Sequence, residues 1–496
     1  MKNNAKIISI LLLAALCAGL LAGCSDTAPA ESNNNGSAAA PVTAAPVDMS
    51  KAAKITLEGG SASVSGGGVS VNGSTISISA AGEYAVSGTL DNGQIIVNTG
   101  DDAMKVTLIL NNANITCLDK PAIYVEKADK LKLVLADGSE NTVTSGVEGL
   151  ATDPNASGAA IFSKDDLDLE GSGKLTVNGY INNGIASKDD LKIQGGDITV
   201  NAVNNGLRGA DSVQIEAGTL AISAGNDGIK SATVDKAGKG FVSVSGGDVT
   251  ILAGGDGIDA ATTLDISGGV LNATAQGSGE TSSSKAIKSS AGMTISGGEL
   301  KLSSTDTAIK CAADLSLSGG SVSIVSANGK GISVDGSVSI SGGAAQINAF
   351  SDGILAVNTL AMSGGSVSIV AGADGIQAGK NVNGFPSETG SVAISGGDLS
   401  ISACKRGIDA KIELGISGGT VFALSGSKNA IEVSSGAQLC ASFMFSGSAG
   451  SEVSFGELDS LKADWDFSSV LFSSSALGSG TEYHVVCGDN AIDITL

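Results

Sequence analysis

The sequence predicts an all-β protein, a right-handed parallel β-helix of about twelve coils with roughly 22 residues in each. Two observations carry this: a Ser-Gly-Gly triplet that recurs at a nearly fixed interval, and strict alternation of apolar and polar residues on either side of it. The triplets begin at Ser245, Ser267, Ser296, Ser318, Ser341, Ser363, Ser395 and Ser417, with spacings of 22, 29, 22, 23, 22, 32 and 22 residues. The base period is therefore 22, and two coils carry insertions of about seven and ten residues, expected as loops on one coil edge.

Each period has three parts. A short Gly-Ile segment such as Asp256-Gly257-Ile258-Asp259 comes first, then Leu264-Asp265-Ile266-Ser267, and after Gly268-Gly269 the segment Val270-Leu271-Asn272-Ala273. Three short alternating strands fit a three-sided coil. The glycine pairs allow the positive torsions of a corner, and the β-branched residues suit the strands beside it. The pattern extends more weakly upstream through Ile229, Leu207, Ile185 and Ile161 to Ile123. A β-propeller needs about 40 residues per blade, and a leucine-rich horseshoe needs its own leucine and asparagine spacing. Neither is present.

The 71 glycines, 42% hydrophobic and 16% charged residues describe a chain that builds a core only if its glycines are turns. The net charge of −22 excludes nucleic acid and an anionic membrane face as direct partners. The N-terminus reads as a lipoprotein signal over residues 1–23: Lys2 and Lys6, an apolar stretch from Ile7 to Leu21, then Leu21-Ala22-Gly23-Cys24. Cys24 is the expected lipidated residue, and residues 24–50, rich in Ala, Ser, Asn and Pro, the expected flexible tether at the cell surface. The β-helix is expected over 51–435, irregular up to about residue 120. Residues 436–496, with Phe443, Phe445, Trp465 and Phe467, break the period and are expected as a cap. The scattered cysteines point to no zinc site or disulfide framework and leave a Cys440–Cys487 pairing open. The single histidine, His484, has no catalytic constellation around it.

Aligning coils on the Gly-Ile segment places acidic and amide residues in rows, among them Asn183, Asn205, Asp227, Asp256, Asp352 and Asp374. Carboxylates one coil apart repel, and calcium accepts the oxygen ligands that such turns supply. Two sets are the candidate sites for Ca2+: Asn226, Asp227, Asp256 and Asp259, and Asp165, Asp166, Asp189 and Asp190. The competing reading is that Asp and Asn are ordinary turn residues, with Lys164 and Lys188 balancing the second set. Immediately after the aligned apolar residue come Arg208, Lys230, Lys288 and Lys310, a basic stripe suited to carboxylate-bearing sugars or merely to solvation. Aromatic platforms for neutral sugars look scarce, with Trp465 in the expected cap.

In its segments ITLEGGSASVSG, GEYAVSGTLDNGQIIV, KLKLVLADGSENTVTSG, AIFSKDDLDLEGSGKLTV, NNGIASKDDLKIQGGDITV and NDGIKS, the chain resembles bacterial carbohydrate-binding domain-containing β-helix lipoproteins. The resemblance covers most of residues 52–435. It implies a right-handed parallel β-helix, similar to calcium-dependent pectate lyases, that carries calcium and binds polysaccharide, notably polygalacturonate. It also implies that the Ser-Lys-Asp-Asp units at 163–166 and 187–190 and the Asn-Asp-Gly-Ile unit at 226–229 are the metal-bearing turns. From Asp306 onward serine replaces many acidic turn residues, so fewer metal sites are expected there.

The expected function is non-catalytic binding of acidic or plant-type polysaccharide by a monomeric surface lipoprotein that touches the membrane only through its lipid. The rival from another class is a calcium-dependent lyase performing β-elimination with a lysine base such as Lys230. A third reading is a structural adhesin that displays its loops to a protein partner.

Overall fold

Every coil contributes one aliphatic side chain to the same inward row. In the computed structural model, which describes residues 47–149, 158–277, 284–380, 388–426 and 440–496, Ile95, Ile123, Ile161, Ile185, Leu207, Ile229, Ile258, Ile287 and Ile309 follow one another through parallel strand pairs. The row continues through Ile332, Ile354, Ile376 and Ile408, and every member is buried. Removing apolar surface from water at about 25 cal/mol per Å2 makes such rows the main source of stability.

Two further parallel sheets complete the three-sided section, built from strands such as Leu264–Ile266 and Val270–Ala275. In several coils one 13-residue strand, for example Asp190–Ala202 or Ser391–Ala403, runs through both and bends at its glycine pair. The second glycine of each triplet needs its freedom there. Gly269 has φ of 80°, and a Cβ on it would lie 2.7 Å from the carbonyl oxygen of Gly247 one coil away. The glycine of the Gly-Ile segment is required for a different reason, close packing: a Cβ on Gly353 would lie 2.3 Å from Ile369 Cγ2 and 2.5 Å from the Gly375 carbonyl oxygen.

The structure departs from the sequence expectations at three places. Parallel stacking starts well before residue 120: Ala53–Gly59 pairs with Gly82–Leu90, and Thr75–Ile78 with Gln94–Asn98. The irregularity is limited to two hairpins, Ala53–Gly59 with Ala62–Ser65 and Val69–Asn72 with Thr75–Ile78. The two insertions occupy different corners, because one follows Val270–Ala275 of the third sheet and the other follows Ile376–Ala378 of the Gly-Ile sheet. Val47 and Met49, assigned to the tether, pack against Ala52, Ile109, Val134 and Ala136. The signal segment, Cys24 and the tether up to residue 46 lie outside the described residues.

At the C-terminal end, Glu413–Ser425 pairs antiparallel with Phe467–Ser473, which pairs with Cys440–Gly447. A four-stranded antiparallel sheet follows, and Phe422, Phe455, Phe467 and Phe472 form a second core. Cys440 and Cys487 are not joined to each other, and Cys440 Sγ donates to Ser473 Oγ at 3.3 Å. Among the described residues there is no helix.

Gly353→Ala is expected to lower stability by about 1–3 kcal/mol through overpacking. Gly60→Ala, where a Cβ would meet nothing within 4 Å, should stay within about 0.5 kcal/mol. Denaturant midpoints of the two variants check this, and equal midpoints would contradict the packing argument.

Candidate functional site

Because successive strand residues face opposite sides, the residue after each inward aliphatic builds an outward row on the Gly-Ile sheet. It runs Tyr124, Phe162, Ala186, Arg208, Lys230, Asp259, Lys288, Lys310. The four predicted ligand-binding cations therefore do share one row, but their surroundings differ. Lys230 Nζ lies 2.6 Å from Asp227 and 2.7 Å from Asp259, Lys288 3.4 Å from Asp256 and 3.0 Å from Asp259, and Lys310 2.5 Å from Asp335. Burial would raise Asp259, but the hydrogen bonds and charges of Lys230 and Lys288 hold it below the ordinary carboxylate value. Arg208 is different. It is half-buried, burial pulls its guanidinium below its ordinary value, and none of the ion pairs among the described residues involves it.

On the other side of Ala186, Phe162 and Tyr124 stack with ring centroids 5.9 Å apart and planes within 5°. The ammonium of Lys164 sits 5.6 Å from the Tyr124 ring centre, a cation–π distance. These residues open a groove of about 680 Å3, lined by Tyr124, Phe162, Lys164, Asn182, Lys188 and Arg208 together with Asn204 and Asn205. Among the described residues that line it there are three cations and no carboxylate.

Asn183 and Asn205, which line the groove, begin a ladder of side-chain amides and carboxylates that runs on beyond it along the coils. Asn183 Oδ1 accepts from Asn205 N at 3.3 Å, Asn205 Oδ1 from Asp227 N at 3.2 Å, Asp227 Oδ1 from Asp256 N at 2.9 Å, and Asp256 Oδ1 from Lys285 N at 2.7 Å. Each carboxylate or carboxamide thus caps the backbone of the next coil, which satisfies buried polar groups that would otherwise be costly. Asn226 joins the ladder by donating from Nδ2 to Asn205 Oδ1 at 3.1 Å. The set Asn226, Asp227, Asp256 and Asp259 does not fit a calcium ion, because its acidic oxygens are taken by the ladder and by the ammonium groups of Lys230 and Lys288.

The second predicted set lies at the corner next to Lys164 and Lys188. Ser163 pairs with Ser187, and Asp211 N donates to the Asp189 carbonyl at 3.1 Å, so Asp165, Asp189 and Asp211 follow one another from coil to coil. Asp190 N donates to Asp166 Oδ1 at 3.3 Å. Burial, and then neighbouring carboxylates, push Asp165, Asp166 and Asp189 above the usual carboxylate value. Compensation is partial: Lys239 of the 232–240 insertion reaches Asp190 at 3.0 Å and Asp211 at 3.7 Å, and Lys130 of the preceding coil reaches Asp166 at 3.8 Å. Oxygen-only donors short of positive charge fit a hard divalent cation. Among the described residues no group of three or more acidic, histidine or cysteine side chains is gathered closely enough to hold a metal ion by itself.

The family's sequence model matches residues 72–330 and 320–464, together well over half of the chain. The chain belongs to the family of carbohydrate-binding domain-containing proteins. A member from Acetivibrio thermocellus is 43% identical over 127 residues, which are 25% of this chain and 44% of that relative, so the match spans less than half of the relative's length. A solved structure described as the polysaccharide lyase-like protein from C. thermocellum, gadolinium derivative, is 38% identical with a TM-score of 0.43, over 46% of this chain and 92% of that one.

In this carbohydrate-binding domain the residues that sequence reasoning missed are Tyr124, Phe162, Asn182 and Asn204. The signal for the aromatic pair was present: Ile123 and Ile161 belong to the aligned row, and each is followed by an aromatic residue.

The raised acids give a signed expectation. A folded-state value above the unfolded one means that folding favours the protonated form, so that stability is present below the unfolded value and lost as pH rises through the folded one. In the presence of a chelator, Asp189→Asn should therefore raise the melting temperature at pH 7 and leave it unchanged near pH 3. A lower melting temperature at pH 7 would contradict the repulsion.

Proposed function

We propose that this chain is a non-catalytic binding protein for acidic polysaccharide of the polygalacturonate kind, exported and held at the cell surface through lipid on Cys24. The observation that carries the reading is the groove: in a chain of net charge −22, it gathers three cations, an aromatic pair and no described carboxylate. A guanidinium fork matches a sugar carboxylate in two-point geometry. The Tyr124 and Phe162 rings offer an apolar face to the C–H side of a pyranose ring, and the Asn182 and Asn204 amides meet hydroxyls. The order of charged, apolar and small residues before Cys24 supports export and lipidation, and the chirality of parallel crossovers supports a right-handed solenoid of about twelve coils.

Calcium belongs to the same proposal, at the corner of Asp165, Asp166, Asp189 and Asp190. When bound, it supplies compensating charge and an oxygen-coordinating centre beside Lys164 and Lys188. The chain's own residues do the rest: Asp190 and Asp211 hold the 232–240 insertion through Lys239, and the lysines hold the glycan's acid groups.

Two features support binding without catalysis. Burial would lower Lys230, but its hydrogen bonds to Asp227 and Asp259 raise it above its ordinary value, so the residue is a poor proton acceptor at neutral pH. Arg208, although lowered by burial, keeps its charge.

Affinity electrophoresis in gels containing polygalacturonate tests the reading. Arg208→Ala should weaken retention at least tenfold, roughly the 1.5–3 kcal/mol of a charge-assisted hydrogen bond, while Lys310→Ala, outside the groove, should change it less than twofold. Equal retention of Arg208→Ala and wild type would refute the groove. Incubating the protein with polygalacturonate and calcium should give no increase in ultraviolet absorbance, and an increase from unsaturated product would establish a lyase instead.

A further inference from the structure

The C-terminal half holds a second groove with different chemistry. It measures about 570 Å3 and is lined by Val325, Asn348, Phe350, Ser351, Lys405 and Trp465, among others. Among the described residues, the large exposed apolar side chains include two aromatics, Phe350 at 66% and Trp465 at 37%, and both face this one groove. With only 3% aromatic residues in the chain, their convergence sets this place apart from the scattered exposed aliphatics of an ordinary surface.

The coil geometry explains why the Phe350 ring stands free. Ser326 pairs with Ala349 and Ala349 with Ala371, so the positions flanking Phe350 in the coils on either side are Ala327 and Gly372. Neither carries a side chain large enough to cover the ring. A Cβ on Gly372 would lie 2.1 Å from the Phe350 carbonyl oxygen, which keeps that position bare. Trp465 arrives from the C-terminal strands and is fixed by its neighbours: Asp464 N donates to Ser402 Oγ at 2.8 Å, and Ala449 N donates to Asp466 Oδ1 at 2.9 Å.

We propose that this groove is a second carbohydrate site, selective for uncharged polysaccharide, in which Phe350 and Trp465 stack on pyranose faces while Asn348, Ser351 and Lys405 meet ring hydroxyls. Two separate arguments name the occupant. The second matched stretch of the carbohydrate-binding family, residues 320–464, covers the groove up to the residue before Trp465. The lining also alternates aromatic surface with carboxamide, hydroxyl and ammonium groups, and a sugar ring alternates C–H faces with hydroxyl edges. Both grooves offer two aromatic rings, but this one has a single ammonium where the Arg208 groove has three cations, so selectivity turns from acidic to neutral glycans. The site stands independently of the polygalacturonate reading.

Trp465 is the only tryptophan in the chain, so its fluorescence reports this groove directly. Cellohexaose, mannohexaose and xylohexaose are titrated against the full protein. At least one should give a saturable change in emission, and Phe350→Ala, which keeps the tryptophan and removes an exposed side chain, should weaken that response at least tenfold. An oligogalacturonide should leave the emission unchanged, and Arg208→Ala should respond to the neutral hexamer as wild type does. The proposal is overturned if none of the three hexamers changes the emission, if Phe350→Ala titrates like wild type, or if Arg208→Ala loses the response.

Discussion

Everything in this molecule depends on coils stacking in register at the inter-strand spacing of about 4.8 Å. That constraint turns a period in the sequence into rows in space, and a row amplifies whatever occupies it. Ile and Leu give a continuous core; glycine lets backbones approach where a Cβ would collide. Charged residues pose the opposite problem, since a row of like charges one coil apart repels itself. The outward row around Lys230, Asp259 and Lys288 answers it by alternating sign. The Asn183 to Asp256 ladder answers it by giving each oxygen a backbone N–H of the next coil. The Asp165 and Asp189 corner is answered least, and there the acids are pushed upward.

The groove around Arg208 is where the outward row breaks its own rule. Lys230, Lys288 and Lys310 stand beside acids, whereas Ala186 precedes Arg208 and leaves open space between the guanidinium and the Phe162 ring. The cation is partly desolvated without a described protein counterion, an arrangement that favours an external anion. The family is that of carbohydrate-binding domain-containing proteins, and this is the groove proposed for an acidic glycan. The groove near Trp465 obeys the same logic with a single ammonium: small residues on the coils flanking Phe350 leave a ring exposed.

The architecture was legible because a solenoid writes its period into the chain. The Ser-Gly-Gly spacing located the corner and the Gly-Ile alignment located the inward row; from that register, the basic stripe followed correctly. What the spacing could not give was the compensation of each charge. Asp227 and Asp256 read as metal ligands from their positions, yet their oxygens are engaged by Lys230, Lys288 and the amides of neighbouring coils, contacts that depend on side-chain reach and not on period. The row was also read for charge alone, so Tyr124 and Phe162 at its upstream end were passed over. The early coils read as irregular because the regular spacing of the triplet starts only at Ser245, although Asn72-Gly73 carries a hairpin signal. Trp465 reads only as part of the cap, because the chain's return to the coils at Ser402 leaves no local mark in the sequence.

The central claim is that register alone brings Phe162 and Arg208, 46 residues apart in sequence, to the two sides of a single sugar-binding groove. The crystal structure of the protein with a bound oligogalacturonide tests it most directly. The account predicts a galacturonate carboxylate within about 3 Å of the Arg208 guanidinium, with a sugar ring against Phe162 or Tyr124. An oligosaccharide held away from the Gly-Ile sheet, or coils whose register separates those side chains, would contradict it.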